Sequence, residues 1–335
     1  MRHMIDSFKE RYRGIAICVI GALASSWLSE HYQTPVMLLA LLLGLAFHFL
    51  SEDEQIAHDV EWVARGLLRV GVALLGLRIA FGDIISGGWL GPVIIVIAML
   101  ATFLTGAFLA RQLGLTMPFG WLSAGSVAVC GVSAAIAISS VLPKRDEADE
   151  ELAVVVISVT ALSTLAMIFY PVIASALAFS DVMAGMFIGG SIHDVAQVVG
   201  AGYSISEAAG DTATYIKLMR VALLLPIVFI IGATSRSASS SEERPPLLPG
   251  FLVVFVALAI VNSLGWTIPS VNAGIGMISR TFLVMAIFAI GVKSRLKDIF
   301  KVGPRPFVLI CSETLVMAVV VVAGLLWFGT VVGEV

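Results

Sequence analysis

An imidazole, a carboxylate and an amide lie within five residues of one another in a stretch of otherwise membrane-like composition, at His193, Asp194 and Gln197. Ionisable side chains are costly at bilayer depth, so they usually face a cavity or a pathway and act there. Histidine titrates near neutral pH and can exchange a proton in step with transport. The alternative is an internal hydrogen-bond network that holds two helices together. We favour a coupling role for these three residues.

The composition is that of a polytopic membrane protein. Of 335 residues, 59% are hydrophobic and 13% are charged, and the mean hydropathy is +1.01, values outside the range of soluble domains. A net charge of -3 without a basic stripe argues against nucleic acid as a partner. The isolated cysteines Cys18, Cys130 and Cys311 signal neither a disulfide framework nor a metal site, and no cofactor is predicted.

Eleven apolar segments are long enough to be counted as membrane crossings of about 20 residues. The first is predicted to be a retained helix, although Ala22-Leu23-Ala24 resembles a signal-peptide cleavage site. The acidic loop 51–61 is predicted to lie against the membrane surface, and the loop 235–249 to be a flexible hinge. The eleven segments lie near 13–30, 35–50, 66–83, 90–110, 118–142, 152–179, 182–204, 212–234, 248–266, 269–292 and 306–330.

Basic residues predict the orientation of the chain. With a cytoplasmic amino terminus, only Arg78, Lys144 and Arg145 fall outside, so the positive-inside rule predicts that the amino terminus is cytoplasmic and the carboxyl terminus periplasmic. The inner segments collect Arg2, Lys9, Arg11, Arg13, Arg65, Arg111, Arg236, Arg244, Lys293, Arg295, Lys297, Lys301 and Arg305. Arg69, Lys217 and Arg220 lie at or within spans and are interpreted mainly as snorkelling or paired residues.

Short similarities indicate an internal repeat. Leu43–His48 aligns with Ile188–His193, and Leu67–Val70 with Leu218–Val221. These matches pair span two with span seven and span three with span eight, five spans apart, so the second copy must run in the opposite sense, as in inverted repeats of secondary transporters. A third match, Leu75–Arg78 with Ile290–Lys293, implies a shift of seven spans and is interpreted as generic helix-end chemistry.

The predicted fold is therefore an all-α polytopic membrane protein of about 11 transmembrane helices, with two five-helix inverted repeats and two broken, crossing helices. The boundaries are 1–34 for an additional amino-terminal helix, 35–180 for the first repeat and 181–335 for the second.

Spans five and ten are the predicted broken helices, because small and polar residues interrupt both. Free N–H groups at the broken ends would suit an anion, and a guanidinium at Arg280 would match a tetrahedral oxyanion with two parallel hydrogen bonds. Cys130 is interpreted as a small hydrophobe without thiol chemistry. The candidate substrate-binding residues are Ser126, Cys130, Gly131 and Ser133 in span five, and Ser279, Arg280 and Thr281 in span ten.

Three longer motifs carry a family resemblance: VCGVSAAIA at 129–137, LLRVGVALLGLRI at 67–79 and GGSIHDVAQVVGAG at 189–202. Over essentially the whole chain the sequence resembles the bacterial YeiH-like family, described as sulfate exporters. The resemblance implies an inner-membrane transporter related to the cation-proton antiporter and anion transporter group, whose folds contain crossing, unwound helices.

The function predicted from these features is secondary active transport, with export of a small sulfur oxyanion, sulfate or sulfite, coupled to protons. The predicted partners are that anion and the lipid bilayer. A homodimer is an open alternative to a monomer. The alternatives are a sodium-coupled symporter of an organic anion, a passive channel, and an intramembrane enzyme acting through His193 and Asp194. An enzyme is disfavoured because no metal motif or second acidic cluster lies at matching depth.

Overall fold

The computed structural model describes residues 11–78, 90–143, 145–234, 250–267, 269–294 and 301–332. All regular elements within these ranges are helical. Several predictions fall outside the described residues: the sides assigned to Arg2, Lys9, Lys144, Arg236, Arg244, Arg295 and Lys297, and the hinge at 235–249.

Fourteen α-helices and two short 3-10 segments, His48–Glu52 and Gly76–Arg78, lie in the described ranges. The α-helices are α1 (Tyr12–Tyr32), α2 (Val36–Ala46), α3 (Glu54–Leu75), α4 (Leu90–Gln112), α5 (Met117–Ala128), α6 (Val132–Ser139), α7 (Ala148–Ala176), α8 (Asp181–Ser191), α9 (Val195–Ile205), α10 (Glu207–Ala222), α11 (Leu224–Thr234), α12 (Gly250–Ser263), α13 (Pro269–Lys293) and α14 (Pro304–Val332).

Six helical stretches are long and apolar enough to cross a membrane: Tyr12–Tyr32, Gly91–Gln112, Ala148–Ala176, Glu207–Ala233, Asn272–Lys293 and Pro304–Trp327. A helix rises 1.5 Å per residue, so each of these is long enough for the hydrocarbon core of a bilayer. The chain is therefore a multi-pass membrane protein. The acidic segment 51–61 is mostly the first part of α3, which Asp53 begins by accepting hydrogen bonds from the N–H groups of Gln55 and Ile56.

The helices form two layers. One contains α1, α2, α3, α12 and α13, and the other is built around α4, α5, α7, α8, α10 and α14. Helix α9 belongs with α10 but also contacts α2 and α13, so it lies at the boundary between the layers.

Predicted span five is a re-entrant hairpin, formed by α5 and α6. A Cβ placed on Gly125 of α5 would collide with Cδ1 of Ile138, near the end of α6. Beyond α6, Arg145 donates a hydrogen bond of 3.0 Å to the hydroxyl oxygen of Thr116, which precedes α5. The chain reverses at Gly131, whose φ of 60° lies in the left-handed region that favours glycine. Both arms therefore end at the same face of the molecule.

Predicted span seven is a second hairpin, formed by α8 and α9. A Cβ on Gly185 of α8 would lie 2.6 Å from Cβ of Thr212, and a Cβ on Gly202 of α9 would lie 2.9 Å from Cα of Gly210. Both arms thus pack against the first half of α10, and both open ends lie beside its start.

The two hairpins enter from opposite faces. Helix α7 starts near Thr116, which donates a hydrogen bond to Glu151, and its 29 residues carry the chain about 43 Å to the other face. Helices α10 and α11 return, and Gly232 near the end of α11 packs against Val141, just after the first hairpin.

These reversals correct the predicted topology. Spans five and seven turn back instead of crossing, so the prediction of about 11 crossing helices is not confirmed. Arg145 lies at the face of Thr116, the side predicted for Arg111, and not on the opposite side.

The predicted break in span ten is wrong. Helix α13 is continuous over 25 residues, despite Gly274 and Gly276. A glycine inside a helix costs only about 1 kcal/mol, and packing of α13 against α2 and α3 offsets this cost. At the start of α13, Asn272 donates hydrogen bonds to Asn262 and Thr267. The second interruption lies in span seven instead, at 192–194.

Candidate functional site

The tips of the two hairpins meet beside α10. The tip of the first hairpin is 129–131, and the tip of the second is 192–194. A Cβ placed on Gly131 would lie 3.7 Å from Cβ of His193, in ordinary van der Waals contact. The structure thus brings two predicted features together: the glycine-containing break of span five and the polar motif of span seven.

Two fully buried cations, Lys217 and Arg220, join the tips; we call them the tip cations. The ammonium of Lys217 donates to the carbonyl oxygens of Val129 at 2.7 Å and Ile192 at 2.9 Å. Arg220 donates through Nε and Nη2 to Ala128 and Val127, both at 2.9 Å, and through Nη1 to Gly189 at 2.9 Å and Ile192 at 3.0 Å. The acceptors belong to the ends of α5 and α8 and to the turns that follow them.

The chemistry of the tip cations follows from these partners. The carboxyl end of a helix carries unpaired carbonyls and a partial negative charge, so each tip cation neutralises two helix ends at once. All three nitrogens of the Arg220 guanidinium donate to the backbone, which leaves little capacity for a bound anion. The prediction that these residues lie near span ends is wrong, because both lie at the tips and their partners are backbone carbonyls. Arg69 is exposed on α3, as expected of a snorkelling residue.

The second arms of the two hairpins, α6 and α9, differ at their amino-terminal ends. Helix α9 is capped by Asp194, whose carboxylate accepts from the N–H of Ala196 at 2.8 Å, while the Asp194 N–H donates to Ser163 of α7 at 3.1 Å. Helix α6 starts after Gly131 without a side-chain cap, and Ser133 in its first turn is exposed. In the part of the chain that the structure describes, no side chain caps the positive end of α6, which suits this end to an anion.

His193 and Gln197 connect the second hairpin to its neighbours. Nε2 of His193 forms a 3.0 Å hydrogen bond with the hydroxyl of Thr314 on α14, and Gln197 donates to the hydroxyl of Thr164 on α7 at 3.0 Å. Both side chains are buried. Nδ1 of His193 and the amide oxygen of Gln197 have no hydrogen-bond partner among the described residues. Such groups are rare in protein interiors and call for a functional or solvent-mediated explanation.

The predicted substrate-binding residues occupy two separate places. Cys130 and Gly131 lie at the first tip, and Ser126 lies one turn before it, with its hydroxyl donating to Leu122 O at 2.6 Å. Ser279 donates to Gly71 O at 2.7 Å and joins α13 to α3, and Thr281 bonds within its own helix. The structure does not bring these span-ten residues to the tips, because α13 is an unbroken helix of the other layer.

Arg280 instead lines a small, open cleft between the layers, together with Arg78, Tyr203 and Glu207. Glu207 bridges two arginines there: one carboxylate oxygen lies 2.8 Å from Nη2 of Arg78 and the other 3.8 Å from Nη1 of Arg280. Arg78 also pairs with Asp211 at 3.3 Å, which accepts a hydrogen bond from Tyr203. We call Arg78 and Arg280 the cleft cations.

Residues 13–310 match the family described as conserved hypothetical protein 698. The chain belongs to this family. A "UPF0324 membrane protein" from Chlorobaculum tepidum is 45% identical, over 96% of this chain and 90% of that protein. The "UPF0324 membrane protein TauZ" of Paracoccus denitrificans is 44% identical, over 94% of each. These names identify membrane proteins, and the sulfate-exporter resemblance stays a prediction.

Among solved structures, the sodium proton antiporter MjNhaP1 from Methanocaldococcus jannaschii aligns with 91% of this UPF0324 chain and 99% of its own, at 13% identity and a TM-score of 0.29. A score this low carries no structural argument.

Glu313 is the ionisable residue of the site that sequence reasoning missed. It lies in α14 of this UPF0324 chain, fully buried, one position before the Thr314 that contacts His193. A carboxyl group inside an apolar span is itself a signal of function, and that signal was present in the sequence.

Proposed function

We propose that the protein is a secondary active transporter of a small anion in the bacterial inner membrane. The observation that carries the proposal is the meeting, at depth, of two re-entrant hairpins that enter from opposite faces. Non-helical backbone at membrane depth is tolerated only where protein buries it or where it lines a cavity. Discontinuous helices of this kind form the substrate sites of many secondary transporters.

The anion is assigned to the uncapped start of α6. Backbone N–H groups after Gly131 and the hydroxyl of Ser133 supply donors, with Ser126 and Cys130 in the surrounding wall. The tip cations stand behind this site and hold it in shape, since their own donors are occupied. A sulfur oxyanion, sulfate or sulfite, suits a site built from hydrogen-bond donors, and the YeiH-like resemblance supports this choice.

Proton coupling is assigned to the tip of the second hairpin. His193 contacts Gly131, so a change in its protonation or hydrogen bonding acts next to the anion. Asp194 caps α9, and Gln197 holds the same arm against α7. The corresponding helix of the first hairpin, α6, has no side-chain cap. This difference between the two hairpins supports a role of Asp194 in coupling.

An inverted repeat with corrected pairing fits the fold. A shift of 215 residues pairs α2 with α12, α3 with α13 and α4 with α14. The similarity of Leu75–Arg78 to Ile290–Lys293 has the same shift. This pairing covers the three helices only, because the hairpin and α7 follow them in 35–180, whereas the hairpin and α10–α11 precede them in 181–335. This pairing replaces that of spans two and seven, because span seven is a hairpin and α2 a single helix.

Cysteine labelling tests the hairpin topology. In a background without Cys18, Cys130 and Cys311, Thr116→Cys and Ala148→Cys should react with an impermeant thiol reagent from the same side, the cytoplasm. The variant Ala178→Cys should react from the periplasm. Labelling of residues 116 and 148 from opposite sides would mean that span five crosses the membrane.

The substrate test combines binding and transport. Thermal unfolding of the purified protein is followed with sulfate, sulfite, thiosulfate and organic sulfonates. Transport of any anion that stabilises the protein is then measured in proteoliposomes. We expect stabilisation by one anion class, weakened in Ser133→Ala, and accumulation against a gradient when a pH gradient is imposed. Accumulation driven by sodium alone would favour the organic-anion symporter, and equilibration without accumulation would indicate a channel.

A further inference from the structure

Glu313 is enclosed by the helices around it. Its side chain is fully buried, and its Oε1 accepts a hydrogen bond of 2.8 Å from the hydroxyl of Ser123, on α5 of the first hairpin. Its Oε2 has no hydrogen-bond partner among the described residues. A Cβ placed on Gly106 of α4 would lie 2.6 Å from Oε1. Glycine at 106 therefore lets α4 pack closely against the carboxyl group of Glu313.

The charged groups of the surrounding helices lie elsewhere. Helix α5 has no ionisable residue, α4 has only Arg111 in its last turn, and α8 has only Asp181 at its start. The tip residues His193 and Asp194 lie nearby, but His193 bonds to Thr314 and Asp194 caps α9. On α7 the ionisable residues are Asp149, Glu150 and Glu151 in the first turn and Tyr170 beyond the middle, and on α14 itself they are Arg305 and Cys311. Among the described residues, no cation forms an ion pair with Glu313.

An ionised carboxylate in such surroundings is expensive. Removing it from water without a paired cation costs several kcal/mol, and one hydroxyl donor does not offset this. The neutral acid, with one proton on the carboxyl group, is the form that fits the closed packing. A buried polar group with an unpartnered atom is also the kind of residue that takes part in function.

We propose that Glu313 is a proton-carrying residue of the transport cycle, which holds its proton while α14 is packed against the first hairpin. This inference rests on the proposed function: Glu313 binds the transported proton, and His193, which bonds to the adjacent Thr314, links that proton to the anion site. The step is a plain acid dissociation: the carboxyl O–H bond breaks, the proton leaves to water, and a carboxylate remains.

The packing links this step to movement. A carboxylate needs water or further donors, so proton release requires α14 to separate from α5. Glu313 contacts the first hairpin through Ser123, and the adjacent Thr314 contacts the second through His193. One turn of α14 therefore touches both hairpins, and entry of water to solvate the Glu313 carboxylate opens the contact with the first.

Two measurements test the proposal. Infrared difference spectra of the purified protein should show the C=O band of a protonated, non-hydrogen-donating carboxylic acid at neutral pH, absent from Glu313→Gln. In wild-type proteoliposomes, the ratio of internal to external anion concentration at steady state should change with an imposed pH gradient. For one coupled proton, it should change by up to about tenfold per pH unit. In Glu313→Gln this concentration ratio should stay at about one whatever the pH gradient. Exchange of anion across the membrane without a gradient should persist.

The controls separate this inference from the proposed function. Glu150→Gln removes an exposed carboxyl and should keep both the band and the response, and Ser123→Ala should shift the band without abolishing it. Absence of a band that depends on Glu313 overturns the inference whether or not anions are transported. A Glu313→Gln protein that keeps the wild-type response also overturns it, whereas anion transport by that protein leaves the proposed function standing. A wild type that transports no tested anion contradicts the proposed function, and the infrared result then still decides the protonation of Glu313.

Discussion

The tip cations and the cleft cations carry the same charges but have different partners. Lys217 and Arg220 are fully buried and donate to backbone carbonyls at the ends of α5 and α8. Arg78 and Arg280 are partly exposed, with 26% and 63% of their side chains accessible, and pair with carboxylate side chains. A carbonyl in a helix end cannot leave, whereas a carboxylate can rotate away and be replaced by another anion.

The difference determines which cations can meet a ligand. When one partner of a buried, hydrogen-bonded charge is removed, the other is left unpaired and the protein is strongly destabilised. Exposed ion pairs contribute about 0 to 1 kcal/mol, so an anion can displace Glu207 at little cost. The tip cations are therefore structural, and the cleft cations are exposed enough to meet a ligand.

The largest effect is expected for Arg220→Met. Loss of the guanidinium leaves the carbonyls of Val127, Ala128 and Gly189 without their donor, at about 1 to 3 kcal/mol for each buried unpaired group. The free energy of unfolding should fall by about 3 kcal/mol or more, measured by thermal or denaturant unfolding in detergent. The exposed Arg65→Met should change it by less than about 0.5 kcal/mol. Equal stabilities of these variants would contradict the structural role of the tip cations.

The next effect is expected for Gly189→Ala. The new Cβ would collide with the carbonyl oxygen of Ala213 and lie 2.9 Å from Cβ of Ile216, which pushes α8 away from α10 and Arg220. Overpacking of this kind costs about 1 to 3 kcal/mol. Gly274→Ala is the matched control, since its Cβ meets no atom within 4 Å, and it should stabilise α13 by up to about 1 kcal/mol. A harmless Gly189→Ala would mean that α8 is not held tightly against α10.

The cleft cations should affect anion binding more than stability. Arg280→Gln should weaken the affinity for the anion about fivefold. Glu207→Gln should strengthen it by a similar factor, because the competing carboxylate is gone. Anion titrations followed by thermal unfolding measure both, with Glu54→Gln as an exposed control outside the cleft. Opposite signs for the two variants are required; equal effects would mean that no anion binds in the cleft.

The smallest effect is the dependence of the cleft on salt. Raising the ionic strength from about 0.1 M to 1 M shortens the Debye length from about 10 Å to 3 Å, so the difference in stability between Arg78→Ala and the wild type should shrink towards zero. The deficit of Arg220→Met should persist, since its buried contacts are screened far less. Parallel loss of both deficits would mean that the two groups of cations do not differ in kind.

Hydropathy predicted where the helices lie, because a run of apolar residues has the same signature wherever it packs. It did not predict the reversals. The 25 residues at 118–142 suit a single crossing as well as two arms, and the choice depends on contacts such as Arg145 with Thr116, which are distant in sequence. The break at Gly131 was predicted correctly, since glycine and small residues weaken a helix locally.

The site was predictable in part. His193, Asp194 and Gln197 stood out because polar residues are rare in spans, and the same argument would have found Glu313. Asp194 is also an ordinary helix cap, and reading it as one would have indicated the interruption in span seven. The partners of Lys217 and Arg220 are backbone carbonyls, which have no residue-type signature, so only the fold could show that these cations join two helix ends.

Lys217 and Arg220 lie three residues apart on one helix, and each holds both tips. Any displacement of α10 therefore carries the two tips by the same distance and in the same direction. A binding site between them keeps its shape as it travels, so an anion should meet the same set of donors from either side of the membrane. In the absence of ion gradients, the half-saturating anion concentrations for uptake and for efflux should then be equal.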